Sequence, residues 1–355
     1  MVTRSFTTRS RALLVIALVT LGTLVAAAPL SAAKPTEFTV NPLVSDQPGV
    51  APVTDPDLVN PWGLTSSATS PWWVADNGTD KSTLYRGDGT KQGLVVSVPG
   101  GPTGTVFNTT TGFVLPTGGR ALFLFDGEDG MIRAWNGAQG TTAIVVKDRS
   151  DVGAIYKGLA IANTDNGPRL YAADFHNGRI DVFDGSFALV PDSGFEDPSL
   201  PKGLAPFNVQ AIGDRIFVAY AEQDADAEDE VAGQGRGRVD VYDLAGNLLG
   251  GIFGHGQLNA PWGLAIAPAS FGTFAGALLV GNFGDGQINA FREVEPGQFV
   301  HAGELRGADN RPLAIDGLWA LQVSQGGNNG TPGQLFFTAG PDAETHGLFG
   351  TIVPS

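Results

Sequence analysis

Short apolar runs alternate with polar loops along nearly the whole chain, and the runs have the period of strands. In LYAADFHNGRIDVFD (Leu170–Asp184) an apolar strand leads into a loop of Asp, His, Asn and Gly, and a second strand opens on Ile180. Leu122–Asn136 and Leu278–Phe291 repeat the arrangement. Within RIDVFD, Ile180 and Val182 fall on one face and Asp181 and Phe183 on the other, the alternation of a β-strand. Aligning on the aliphatic residue that opens the second strand gives Leu84, Ile132, Ile180, Val239, Ile288 and Leu348, spaced by 48, 48, 59, 49 and 60 residues. Four of the six carry an aromatic three residues on: Trp135, Phe183, Tyr242 and Phe291.

An earlier strand in most units opens with Gly and an aliphatic residue, as at Gly63-Leu64, Gly158-Leu159, Gly263-Leu264 and Gly317-Leu318. Asn208-Val209 takes that place in the fourth unit, and Val106-Phe107 lies nearby in the divergent second. Self-similarity at this spacing predicts an all-β, six-bladed β-propeller over residues 34–355. The last unit ends at its third strand, His346–Val353, so Glu37–Val40 is placed to supply the missing outer strand and close the ring. Closure would remove an open sheet edge. The 50 Gly and 23 Pro agree with many short strands and tight turns.

The first 33 residues read as an export signal. Arg4, Arg9 and Arg11 form a basic start, Ala12–Leu24 is almost unbroken apolar sequence, and Ser31 and Ala33 suit cleavage before Lys34. The expectation is a secreted or periplasmic protein, without a membrane segment after export and monomeric. Removing those three arginines from 21 basic residues leaves 18 against 36 acidic ones, a net charge of −18. Such a surface disfavours nucleic acid and anionic membrane as partners. The chain has no cysteine, which excludes disulfides and thiol chemistry. It also lacks a G-x-S-x-G elbow, an H-E-x-x-H pair and a phosphate-binding loop.

Candidate chemistry lies in the loops that a propeller gathers at one mouth of its channel. They hold Asp76-Asn77, Asp126–Asp129, Asp174–Asn177, Glu222–Asp229, Asn282–Asp285 and Asp342–His346. Oxygen ligands from several loops, with imidazole, could hold calcium or a transition metal; the same residue types also cap turns by binding backbone N–H groups. His176 and His346 fall in units that a six-fold ring sets opposite each other, and His255 precedes an inner strand on the same mouth. The acidic run Glu222–Glu230 has Asp224, Asp226 and Glu228 at calcium-loop spacing but lacks the Gly and Glu an EF-hand needs, so it reads as a solvated lid. Trp62, Phe207, Trp262 and Trp319 read as packing between blades or as a stacking platform for a flat ligand, and Lys157 lies in a similar place.

The strings APWGLAI (Ala260–Ile266), YKGLAIA (Tyr156–Ala162), ADFHNGRIDVFD (Ala173–Asp184) and VGNFGDGQINAF (Val280–Phe291), with FTAGPDAETHGLFGTI (Phe337–Ile352), resemble a family of secreted bacterial NHL-like propellers. The resemblance covers essentially the whole chain after the signal and implies a fold and a compartment. More distantly the chain is similar to gluconolactonase and senescence-marker-type propellers, which implies a calcium ion at the central pocket. The functional expectation is a secreted propeller that binds a small ligand, cation or partner at an acidic channel mouth. The alternative is a metal-dependent hydrolase of the lactonase or esterase kind, with His176 or His346 as general base and Asp126, Asp174 and Asn282 as metal ligands.

Overall fold

Every strand of the computed structural model falls within Pro35–Ser355, and the structure describes residues 1–3, 5, 36–253 and 256–355. All but four residues of the expected signal, and His255, lie outside the described residues. The sheets follow chain order. Pro61–Thr65, Trp72–Asp76, Lys81–Tyr85 and Val96–Ser97 form one; Pro102–Phe107, Phe123–Gly127, Met131–Trp135 and Ile144–Asp148 form the next. A three-stranded sheet follows, Tyr156–Thr164, Gly167–Asp174 and Arg179–Asp184. Leu204–Ile212, Arg215–Glu222, Gly237–Asp243 and Leu248–Ile252 then join Pro261–Ile266, Leu278–Asn282, Ile288–Glu295 and Gln298–Glu304 through one parallel pair, Gly251 with Gln298. That makes an eight-stranded sheet. The last sheet contains Leu318–Val323, Leu335–Ala339 and Leu348–Pro354. All six aligned aliphatic residues lie in the third strands of these runs, where period-two alternation had put them.

The last sheet also takes in the N-terminal strand, which runs Phe38–Ser45 rather than Glu37–Val40 and pairs antiparallel with Leu348–Pro354. Phe38 is buried and its ring packs 5.0 Å from that of Phe271.

The first strand of each run pairs on one side only. These six strands, Pro61–Thr65, Pro102–Phe107, Tyr156–Thr164, Leu204–Ile212, Pro261–Ile266 and Leu318–Val323, pack against one another in chain order, and the last packs against the first. Each carries a register shift near its start, such as Pro61/Leu64, Tyr156/Leu159 and Pro261/Gly263. A β-bulge at that point re-aims one side chain. The re-aimed position is occupied in turn by Trp62, Thr103, Lys157, Phe207, Trp262 and Trp319.

Glycine follows in most runs because the neighbouring strand comes too close for a side chain. A Cβ on Gly63 would stand 2.5 Å from the Thr103 carbonyl oxygen, and one on Gly104 would meet the Leu159 amide. Among the described residues the core is distributed between the sheets as six apolar clusters.

Two substitutions test this packing. Gly104→Ala is expected to destabilise by about 1–3 kcal/mol through overpacking, and Phe38→Ala by about 3–5 kcal/mol through lost burial. Denaturant titration measures both; an unchanged midpoint for Phe38→Ala would show that the N-terminal strand does not hold the last sheet.

Candidate functional site

Apart from Thr103, whose hydroxyl donates to Asp126 and the Tyr156 carbonyl, the re-aimed side chains meet in the channel. Trp62 stacks on Trp319 with ring centroids 3.5 Å apart, Trp262 stands edge-on to Trp62 at 6.3 Å, and Phe207 packs 5.8 Å from Trp319. Phe283 stacks on Trp319 at 4.2 Å and Phe175 packs on Phe207 at 5.5 Å. All but Phe283 are buried. These aromatics therefore pack on one another, as the packing alternative required.

Lys157 occupies an aromatic's place in this repeat. Its side chain is 1% exposed, its ammonium lies 5.2 Å from the Trp62 ring centroid, and it donates to Glu128 Oε1 at 2.6 Å and Asp229 Oδ1 at 3.1 Å. Burial pulls the ammonium pKa down, but Glu128, Asp229 and Glu230 outweigh that and hold it raised.

From Lys157 a hydrogen-bonded chain runs across the mouth. Glu128 Oε2 accepts from Asn77 Nδ2 at 2.9 Å, and Asn77 Oδ1 accepts from Asn60 Nδ2 at 3.2 Å. Asn60 Nδ2 also donates to Glu344 Oε2 at 2.7 Å, and Asn60 Oδ1 accepts from Trp319 Nε1 at 3.0 Å. Glu344 is delivered by three successive left-handed residues, Asp342, Ala343 and Glu344, at φ 56°, 54° and 65°, a conformation that costs non-glycine residues energy and concentrates at functional sites. Above this floor is a cavity of about 730 Å³ lined by Trp62, Asn77, Glu128, Glu230, Glu344 and their neighbours. Burial pushes Glu230 up to about 8 against the pull of Lys157, with Glu344 and Asp229 adding to the rise. Burial likewise raises Glu344, against its bond to Asn60.

The sequence-predicted residues lie elsewhere. Asp126 is buried, and its Oδ1 accepts from Gly104 N at 2.6 Å and Thr103 Oγ1 at 3.0 Å; Oδ2 has no partner, and burial pushes the acid up to about 7. Asp174 accepts from Asn177 Nδ2 at 2.8 Å and pairs with Arg179 at 3.2 Å. Asn282 donates to the Gln257 carbonyl at 2.8 Å and to Asp285 at 3.1 Å. Each is buried at the end of a strand of a different run and bonded to its own neighbours, so the structure does not bring the three together. Among the described residues, no group of three His, Cys, Asp or Glu side chains could hold a metal ion.

His176 Nδ1 donates to the Ala227 carbonyl at 3.2 Å, and His346 Nδ1 to Asp46 Oδ2 at 2.7 Å. Neither lines the mouth cavity. The acidic run is pinned rather than simply solvated: Gln223 Nε2 donates to the Phe175 carbonyl at 2.6 Å, Gln223 pairs with Glu230, and Asp229 reaches Lys157.

Within the polar loops, the residues that line the mouth cavity differ from the candidates named from the sequence. A strand-terminal acid such as Asp126 points back into its own sheet, and the channel receives the side chain one or two residues later, Asn77 after Asp76 and Glu128 after Asp126. The signal for Lys157 was its alignment with Trp62 and Trp262, one residue before the repeat glycine.

Several buried acids have folded pKa values above their unfolded ones, so the folded state binds more protons between about pH 4 and 8. Stability from these groups is fully present at the acid end of that window and is lost as pH rises through it. The melting temperature is expected to be higher at about pH 5.5 than at about pH 8.5, and Asp126→Asn to shrink the difference. A melting temperature that rises with pH over this range would contradict the placement of these carboxylates.

No family model matches the chain. Among solved structures it is similar to the virginiamycin B lyase of Staphylococcus aureus, at 12% identity over 90% of this chain and 100% of that one, with a TM-score of 0.52. It is also similar to a Bacteroides thetaiotaomicron protein of unknown function, at 12% identity over 89% of this chain and 76% of that one, with a TM-score of 0.54. At such identity the likeness shows the fold alone, a β-propeller. Sequence relatives are viral, where the resemblance had implied bacterial ones. Uncharacterized protein L690 of Acanthamoeba polyphaga mimivirus is 33% identical over 335 residues, covering 88% of this chain and 85% of the relative. Uncharacterized protein R648 of the same virus is 33% identical over 335 residues, covering 89% and 80%. The chain therefore belongs to the propeller family that includes these two mimivirus proteins.

Proposed function

We propose that the protein is an exported six-bladed propeller that binds a cationic organic ligand at its acidic mouth, with the strand Phe38–Ser45 completing the last blade. The observation that carries the binding reading is the convergence of Glu128, Glu228, Asp229, Glu230 and Glu344 on a cavity whose floor holds one ammonium, Lys157. Burial raises Glu230 and Glu344, with neighbouring carboxylates adding to the rise, and an incoming cation would favour their ionised form. The placement of Lys157, between the Glu128 carboxylate and the Trp62 ring, supports the reading that an ammonium suits this site. Carboxylates spread around about 730 Å³ over an aromatic floor suit an amine-bearing molecule better than a bare metal ion.

The hydrolase alternative needs a base facing the bound substrate. His176 and His346 are engaged with Ala227 and Asp46 and do not line the cavity, so binding has the stronger support.

Calorimetric titration with spermidine tests the reading. Binding is expected, weakened by salt, and tighter as pH rises through about 8 because Glu230 must give up its proton to face a cation. Replacing Glu230 and Glu344 together by Gln should weaken it by about tenfold or more. Absence of heat with the unaltered protein, or an affinity indifferent to the double substitution, would overturn it.

A further inference from the structure

The channel has a second cavity, at the end of the inner strands away from the acidic mouth. The aromatic group stands between the two: Trp62 lines the mouth, while Trp262, edge-on to it at 6.3 Å, lines the second cavity. This space is about 510 Å³, within the roughly 300–1,000 Å³ of small-molecule sites. Among the described residues its lining contains no Asp, Glu, Lys, Arg or His, in a chain of formal net charge −15. The two ends of one channel thus differ completely in charge.

What lines it instead is a dense set of neutral donors and acceptors. Gln210 and Gln322 project from inner strands, are half-buried, and make no side-chain hydrogen bond within the described protein. Asn163 and Gln325 stand exposed at the rim. The inner strands add backbone N–H and C=O groups, since each is paired on one side only. Trp72, 1% exposed, lines the same cavity with an indole nitrogen that has no hydrogen-bond partner among the described residues, a state that buried polar groups rarely keep.

We propose that this second cavity binds a small neutral saccharide. An amide offers donor and acceptor together, as a hydroxyl does, so paired Gln side chains match a polyol. Leu64, Leu264 and the edge of Trp262 give the lining an apolar side for the C–H groups of a pyranose ring. A charged ligand would be desolvated there with no countercharge.

The test is a titration of the full-length protein with maltose, cellobiose and N,N′-diacetylchitobiose, followed by tryptophan fluorescence and saturation-transfer NMR. At least one of the three binds, and Gln210→Leu and Gln322→Leu each weaken it by about threefold to tenfold, the span of one neutral hydrogen bond. Glu230→Gln, at the other end of the channel, leaves the affinity unchanged. Should a leucine variant melt early, Gln210→Glu keeps the size, puts a charge in the cavity and still loses the sugar. The proposal is overturned if none of the three sugars binds, if no change at Gln210 or Gln322 alters the affinity, or if Glu230→Gln removes it.

Discussion

The close approach of neighbouring inner strands, with glycine where a Cβ would collide, is the constraint on which the rest of the structure depends. At Gly63 and Gly104 the next strand's backbone takes the space that a side chain would need. With the strands that near, the bulge one residue earlier turns Trp62, Phe207, Trp262 and Trp319 onto one another in the channel. Filling the channel with Trp62, Phe207, Trp262 and Trp319 then follows from area: large rings remove the most apolar surface from water in a space that six strands line. Polar groups stitch the same layer, with Thr338 Oγ1 donating to the Trp62 carbonyl at 2.6 Å and Asn208 Nδ2 to the Trp262 carbonyl at 2.7 Å.

One departure from that pattern gives the mouth its chemistry. Lys157 at an aromatic position places an ammonium among stacked rings, where it must be paired. The partners come from distant parts of the chain: Glu128 from a short hairpin loop, Asp229 from the acidic insertion. Asn60 and Asn77 tie these to Glu344 near the C-terminus. The insertion is thereby part of the mouth, held by Gln223 against the Phe175 and His176 carbonyls. At the other end the inner strands offer only neutral groups.

Strand positions were legible because alternation and a recurring turn are local properties, readable from RIDVFD or VGNFGD without knowledge of any partner. The N-terminal strand was placed against the last one by the missing strand of its unit, and the pairing of Phe38–Ser45 with Leu348–Pro354 extends what Glu37–Val40 suggested. Site residues were legible only to within a loop. Asp126 and Glu128 are two residues apart and chemically alike, yet one is sealed against Gly104 and the other faces Lys157. That difference is set by where the strand ends, which fades at the resolution of a sequence pattern.

By itself the sequence determined an all-β repeat, a strongly acidic chain without cysteine and a set of polar loops at one end of the strands, because each follows from composition or short-range period. The tertiary structure decided which carboxylates meet, that a lysine lies beneath them, and that the channel ends differ in charge. Those outcomes depend on contacts between residues as far apart as Asn60 and Glu344, and on burial, which shifts an acid such as Glu230 only when neighbours from other loops close over it.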